Sequence, residues 1–275
     1  MLAYLTAHAG NLKISTLQRH LTAIREAHRY AGFELDTSDV SFRDVWRGIR
    51  NAHGTPANQK AALITATLRR ALAALPDNLL GYRDRALLLI GFAAALRRSE
   101  LASLEVAQRD GACGWIEESV EGLTVHIARS KTDQTGEGDA IGIPYGSSPE
   151  TCPVRAYKAW LQNSCISAGP AFRRITRHGR MGSKAITDRT VARVVKRAVA
   201  RAALSDGLSG EDAKLLASKF GGHSLRAGLA TSAAMNDAPG HAIQRQLRHT
   251  RFDTTTRYIR AGQLFKQNAA GMAGL

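Results

Sequence analysis

The stretch RALLLIGFAAAL, residues 85–96, decides the class of fold. It is apolar on nearly every side. A helix with a single apolar stripe lies at a surface, whereas one apolar all round is packed at the centre of a domain. The pattern therefore predicts a buried helix from about Tyr82 to Leu96. Toward the N-terminus another helix is expected from about Thr65 to Leu75, stopped by Pro76. Before it, Gly54 to Asn58, with Pro56, reads as a break and a linker. Further upstream, Ser15 or Thr16 is expected to cap a helix whose Leu17, Leu21, Ile24 and Tyr30 follow helical spacing, ended by Gly32. A second helix is expected from near Ser41, with Phe42, Val45, Trp46 and Ile49 on one side. Downstream of the central helix the pattern changes. Trp115–Ile116, Leu123–Ala128 and Ile141–Ile143 read as strands, and the polar Lys131 to Asp139 reads as a hairpin tip. Helices return at Pro153, a first-turn residue, and run through Trp160 and Leu161. Thr187 caps the next, with Val191, Val194, Val195, Ala198 and Val199 as its core face. More follow around Leu225–Met235, Ala242–Leu247 and Thr254–Ile259. The expectation is a mainly α protein with a small antiparallel β-sheet, divided into residues 1–57 and 58–275.

A chain of 275 residues suffices for a large domain with a real core, or for two modest ones. Its 38 Lys+Arg against 23 Asp+Glu leave a net charge of +15. Such a surplus favours a polyanion, nucleic acid first and an anionic membrane surface second. No apolar run approaches the ~20 residues of a spanning helix, so no membrane partner is expected. No basic start leads into a long apolar stretch, so no secretory signal is read. The three cysteines, Cys113, Cys152 and Cys165, are odd in number and widely spaced, which suits a reducing compartment without a disulfide framework. A cytoplasmic, nucleoid-associated location is the expectation.

Three segments carry chemistry: ALRRSELASL (95–104), HSLRAGLAT (223–231) and RHTRFDTTTRY (248–258). His223 and Arg226 are three apart in a helical segment and share a face. His249 and Tyr258 are nine apart and meet only across a turn between two helices. Arg97 closes the buried helix, and Glu100 is placed to orient its guanidinium. Each residue alone has a structural reading: a helix cap, a satisfied core histidine, a packed tyrosine. The ordered set is far more specific than its members.

In the order Arg…Lys…His-x-x-Arg…His…Tyr, the chain resembles the tyrosine recombinase, or phage integrase, family. ALRRSEL matches that family's first arginine box and points to Arg97. RSKTDQ (129–134) matches its lysine segment and points to Lys131. HSLRAG supplies His223 and Arg226. In RHTRFDTTTRY the second histidine falls on His249 and the nucleophile on Tyr258, with Thr255 between them. The resemblance runs from about residue 13 to the C-terminus. It departs in two places. The family usually has Gly where this chain has Arg248, a position that begins a tight turn. Only the later helices of the family's helical core-binding (SAM-like) domain are recognised, so the chain is expected to begin partway through it.

What the resemblance implies is a tyrosine-recombinase catalytic domain behind that partial DNA-binding domain. Its expected activity is site-specific recombination or integration through a 3′-phosphotyrosyl intermediate on Tyr258. His223 is expected as proton acceptor, and Arg97, Arg226 and His249 as ligands of the phosphate oxygens. Lys131 is expected to protonate the leaving oxygen, with Glu100 behind Arg97. Neither metal nor cofactor is expected: there is no H-E-x-x-H, no cysteine pair and no acidic cluster of the two-metal type. Arg189, Arg193, Lys196, Arg197 and Arg201 form a basic stripe after Thr187, a solvated face or a contact with DNA backbone. Arg19, His20 and Arg25 are further expected DNA contacts. The partner implied is double-stranded DNA with paired half-sites, bound by a homotetramer in which Leu264 to Leu275 docks on a neighbour. Two alternatives stand beside this: a non-catalytic DNA-binding remnant, and a relaxing enzyme of the type IB topoisomerase kind.

Overall fold

The computed structural model describes residues 1–55, 59–128, 138–264, 266 and 273. The chain forms two compact units, Met1–Gln59 and Lys60–Leu275.

The first unit contains α1 (Leu2–His8), α2 (Ile14–Tyr30) and α3 (Val40–His53). Leu5, Leu17, Leu21, Phe42 and Ile49 form its core. Asp39 caps α3, accepting a hydrogen bond from the Phe42 N–H at 3.2 Å. For α2 the structure corrects the expected cap. Lys13 holds that position without a side-chain bond, and Ser15 and Thr16 lie inside the helix. Tyr30 is not on the apolar face and is 84% exposed. It follows Ile24 by six steps of about 100° each, which turns it well off the stripe. Val45, at the edge of the α3 stripe, is also exposed.

In the second unit, α4 (Thr65–Ala73) leads to α5 (Leu79–Ala93), the helix that contains most of RALLLIGFAAAL. Asn78 caps α5, accepting from the Gly81 N–H at 3.1 Å. Leu87, Leu88 and Ile90 are fully buried, so the continuous apolar run does lie at the centre. A short helix, α6 (Arg98–Ala102), follows. Strands β1 (Gly114–Glu118), β2 (Gly122–Ile127) and β3 (Asp139–Pro144) form an antiparallel sheet in sequence order. Ile116, Leu123, Val125, Ile127, Ile141 and Ile143 point from it into the core. Beyond it stands α7 (Pro153–Ser164), with Pro153 in its first turn and Trp160 buried against α5.

A second antiparallel pair, β4 (Arg173–Ile175) and β5 (Met181–Ala185), forms a separate two-stranded sheet that the sequence pattern does not announce. Then come α8 (Asp188–Ser205), α9 (Gly210–Ser218), α10 (Ser224–Met235), α11 (Gly240–Leu247) and α12 (Phe252–Gly262). Thr187 caps α8 as its position implies. Helix α10 is buried on most sides. At Gly228 a Cβ would come within 2.1 Å of the Leu63 carbonyl oxygen, so only glycine lets that segment lie against α10. No described helix is long and apolar enough to cross a membrane.

Candidate active site

The site is assembled from the end of α5, the start of α10 and the turn between α11 and α12. Ala95 turns the chain out of α5 with φ of 49°, and Arg97 then precedes α6 as its N-cap. Arg97 thus opens a helix rather than closing the buried one, because α5 already ends at Ala93. The Glu100 carboxylate accepts from the Arg97 backbone N–H at 2.9 Å and from its guanidinium at 2.7 Å. Three residues before Arg226, His223 stands at the N-cap of α10. His249 follows α11, and Tyr258 lies in α12.

These side chains converge. The Tyr258 hydroxyl lies 2.9 Å from His223 Nε2. The His249 ring stacks against Tyr258, with centroids 6.2 Å apart. On its other edge, His249 Nδ1 lies 3.0 Å from the hydroxyl of Thr255, which is fully buried. Beneath them Ala95, Ala230, Ala234, Ile243 and Leu247 form a small apolar floor against which Tyr258 packs. Arg226 is 2% exposed. It donates to the Ala95 carbonyl at 2.7 Å and also to the Leu247 carbonyl. Its fork therefore ties the ends of α5 and α11 together, which satisfies two carbonyls that helix termini leave open.

The electrostatics follow from burial beside guanidinium groups. Burial first, then Arg226 and Arg97, hold the His223 imidazole below its usual value. His249 is pushed down to about 4, by burial first and then by Arg226, Arg97, His223 and Arg248. Both rings are thus neutral at pH 7. Burial raises the Tyr258 phenol, against the pull of Arg226 and Arg257. A protonated Tyr258 hydroxyl donates to a neutral His223 ring. The same burial lowers Arg226 to about 10, still a cation at neutral pH. Beside it, Glu100 is kept ionised by Arg248 and Arg97 although burial opposes this.

Of the expected set, Arg97, Glu100, His223, Arg226, His249 and Tyr258 are brought together. Lys131 lies outside the described residues, as does most of the 264–275 tail. Among the expected DNA contacts, Arg189, Arg193 and Lys196 are exposed on α8. Arg197 is not on that open face: its guanidinium binds the buried Asp84, which also holds Arg83. Arg19 and Arg25 are exposed on α2, but His20 is engaged with the Tyr4 hydroxyl at 2.8 Å. Sequence reasoning passed over Arg43, Arg47 and Arg50. They share one face of α3 and line, with Arg25 and Trp46, a groove of about 390 Å³. Their i, i+4, i+7 spacing was the available signal.

A tyrosine stands between two histidines with two arginines close by, and the chain belongs to the phage integrase family, whose sequence model matches residues 62–263. Its class is therefore that of the site-specific DNA recombinases. It is similar to the integrase/recombinase xerD homolog of Selenomonas ruminantium, at 39% identity over 271 residues, covering 97% of this chain and 74% of that protein. Two solved structures share its fold. One is the XerH site-specific recombinase bound to a palindromic difH substrate after cleavage, with 17% identity and a TM-score of 0.65. That match covers 99% of this chain and 70% of the other. The second is the Tn1549 transposon integrase in complex with transposon right end DNA, with 16% identity and a TM-score of 0.60, covering 100% of this chain and 84% of that one.

Proposed function

We propose that the chain cuts and rejoins double-stranded DNA at paired half-sites, with Tyr258 as nucleophile. The observation that carries this reading is the 2.9 Å approach of the Tyr258 hydroxyl to His223 Nε2, beside Arg226 and His249. Tyrosine is a weak nucleophile at neutral pH, its reference pKa being about 10. Here burial weakens it further, so it must lose its proton during attack. The neutral His223 ring takes that proton. The Tyr258 oxygen bonds to the scissile phosphorus and the bond from phosphorus to the 5′-oxygen breaks. A 3′-phosphotyrosyl link and a 5′-hydroxyl result. One phosphoester replaces another, so rejoining needs no ATP. Lys131 supplies the proton to the leaving oxygen.

The phosphorane-like transition state gathers charge on its non-bridging oxygens. Arg97 and Arg226 hold those oxygens with forked donors. His249 adds a donor only if Nε2 carries the hydrogen. Thr255 then donates to Nδ1 and fixes that tautomer, so Thr255 is a positioning residue. Arg189, Arg193 and Lys196 contact DNA backbone, as do Arg19 and Arg25 with Arg43, Arg47 and Arg50. Residues 1–57 serve as a helical core-binding domain and 58–275 as the catalytic domain. The working assembly is a tetramer on two half-site pairs.

A nicked suicide duplex carrying the half-site pair tests the reading. The expected result is a covalent protein–DNA adduct, lost in Tyr258→Phe while DNA binding survives. Binding without any adduct would leave a non-catalytic DNA-binding protein. Adducts without exchange between two sites would leave a relaxing enzyme.

A further inference from the structure

Arg248 occupies the place where the family usually has glycine, and the structure shows why the backbone would accept one. It ends α11 in the left-handed region, with φ of 53° and ψ of 48°. Side chains other than Gly, Asn and Asp avoid that region. The arginine is nevertheless folded inward, with its side chain only 7% exposed. Its Nη2 donates to Glu100 Oε2 at 2.7 Å, the same carboxylate oxygen that accepts from the Arg97 backbone. Its Nη1 lies 3.9 Å from the carboxylate of Asp139, the first residue of β3. Nε and Nη1 are buried and have no hydrogen-bond partner among the described residues. Leaving such donors unpaired is costly. Placement between two carboxylates from two other elements is what the side chain gains.

Resting on the recombinase reading above, we propose that Arg248 is a positioning residue for strand cleavage: its guanidinium bridges Glu100 and Asp139, and so ties the Arg97 turn and the start of β3 to the turn that carries His249. Glu100 is the hinge of this arrangement. It has two oxygens and three donors, two from Arg97 and one from Arg248. Remove Arg248, and the carboxylate is held from one side only. The Arg97 guanidinium then loses its fixed direction toward the phosphate. The Arg248 cation also acts on the buried carboxylate, as do Arg97 and Arg226.

The test compares the wild-type chain with Arg248→Gly, Arg248→Lys and Asp139→Asn. Glycine suits the backbone at this position, so Arg248→Gly is expected to fold, as checked by its circular dichroism and thermal transition. Single-turnover cleavage of the nicked duplex is expected to slow about 10²-fold in Arg248→Gly, the size of a small misplacement at a reacting centre, while DNA affinity changes less than about threefold. Arg248→Lys keeps the charge without the fork and is expected to recover part of the rate. Asp139→Asn is expected to slow cleavage by a smaller factor. The acid limb of the cleavage profile should move to higher pH in Arg248→Gly, because Glu100, faced by Arg97 and Arg226, loses the cation that most offsets its burial.

Cleavage by Arg248→Gly within about twofold of wild type at every pH would overturn the proposal. So would equal losses of binding, cleavage and thermal stability, which would make Arg248 a folding residue alone. A second readout needs no cleavage: the His249 ring titration followed by NMR in the DNA-free protein. Its midpoint should rise in Arg248→Gly, since Arg248 is one of the cations that hold it down. If wild type forms no Tyr258-dependent adduct, the recombinase reading fails. The His249 titration then decides whether Arg248 sits where the bridge requires, and an unmoved midpoint overturns the bridge.

Discussion

Arginine serves in two ways in the two units of this chain. In Lys60–Leu275, Arg226 and Arg248 are buried, and their forks are fastened to Ala95, Leu247 and Glu100. In Met1–Gln59, Arg25, Arg43, Arg47 and Arg50 are exposed around a groove. The ion pair of Arg47 with Asp44 is itself exposed to solvent. A buried guanidinium with fixed partners keeps its charge at one place and in one direction, in surroundings that screen it weakly. An exposed one contributes charge with little direction and is screened by salt. The first kind suits a transition state and the second suits a phosphate backbone. The distinction lies in the partners, not in the residue type.

The largest effect should come from loosening the buried kind. Arg226→Lys keeps the charge but cannot span two carbonyls and a phosphate with one ammonium. Cleavage is expected to fall about 10²–10³-fold, as when one positioned donor is lost. Folding should also weaken by about 2–3 kcal/mol in a denaturant titration, since hydrogen bonds from a charged group at Ala95 and Leu247 are removed. If Arg226→Lys cleaved at the wild-type rate, direction would not matter in the buried site and the contrast would collapse.

A smaller effect should come from the histidine that those cations surround. With Nδ1 no longer held in Thr255→Val, the His249 tautomer is free, and cleavage should slow about tenfold with unchanged DNA affinity, a typical size for loss of an orienting hydrogen bond. The same surroundings give a pH signature. The unfolded ring protonates near pH 6.5, whereas the folded His249 is pushed down to about 4. The unfolded state therefore binds more protons below pH 6.5, so stability is full above that value and declines as pH falls toward about 4. Unfolding midpoints measured across that window should show the decline, and His249→Gln should flatten it. An equal slope in His249→Gln would mean that the ring is not held neutral by its neighbours.

The buried kind of arginine was legible from order and spacing, but its partners were not. The apolar run at 85–96 announced α5, and the capping residue Thr187 and first-turn Pro153 placed α8 and α7. Strands β1 to β3 showed alternation because they bury one face. The β4–β5 pair did not, since RRI and MGSKA have no buried residue to mark a face. Helix α9 was passed over although Ser209 caps it and Glu211 and Asp212 stand in its first turn. His223, Arg226, His249 and Tyr258 could be found because helix periodicity and family order are local properties. That Glu100 is shared by Arg97 and Arg248 could not, because it joins residues 148 apart. Arg197 shows the reverse error: its spacing put it on a basic stripe, but Asp84 on a distant helix claims its charge.

The exposed kind should give the smallest effect and a different form of it. Arg43, Arg47 and Arg50 stand on one face of α3, and on the proposed reading each phosphate they neutralise would release condensed counterions from the DNA. Removing one of them should lower the slope of log affinity against log salt by about one, with the loss spread evenly over cognate and unrelated sequences. The cleavage rate of bound substrate should stay as it was, since the three belong to Met1–Gln59 and the unit Lys60–Leu275 carries Tyr258, His223 and Arg226. Filter binding of Arg43→Ala, Arg47→Ala and Arg50→Ala at several salt concentrations measures the slope, and single-turnover cleavage at saturating protein measures the rate. Arg47 is the sharpest of the three, because its exposed pairing with Asp44 is weak enough for a phosphate to displace it. A slope unchanged in all three variants would remove α3 from the DNA-contacting surface. A slope change accompanied by loss of cleavage on bound DNA would show that exposed charge also sets direction, and would erase the division between the two kinds of arginine.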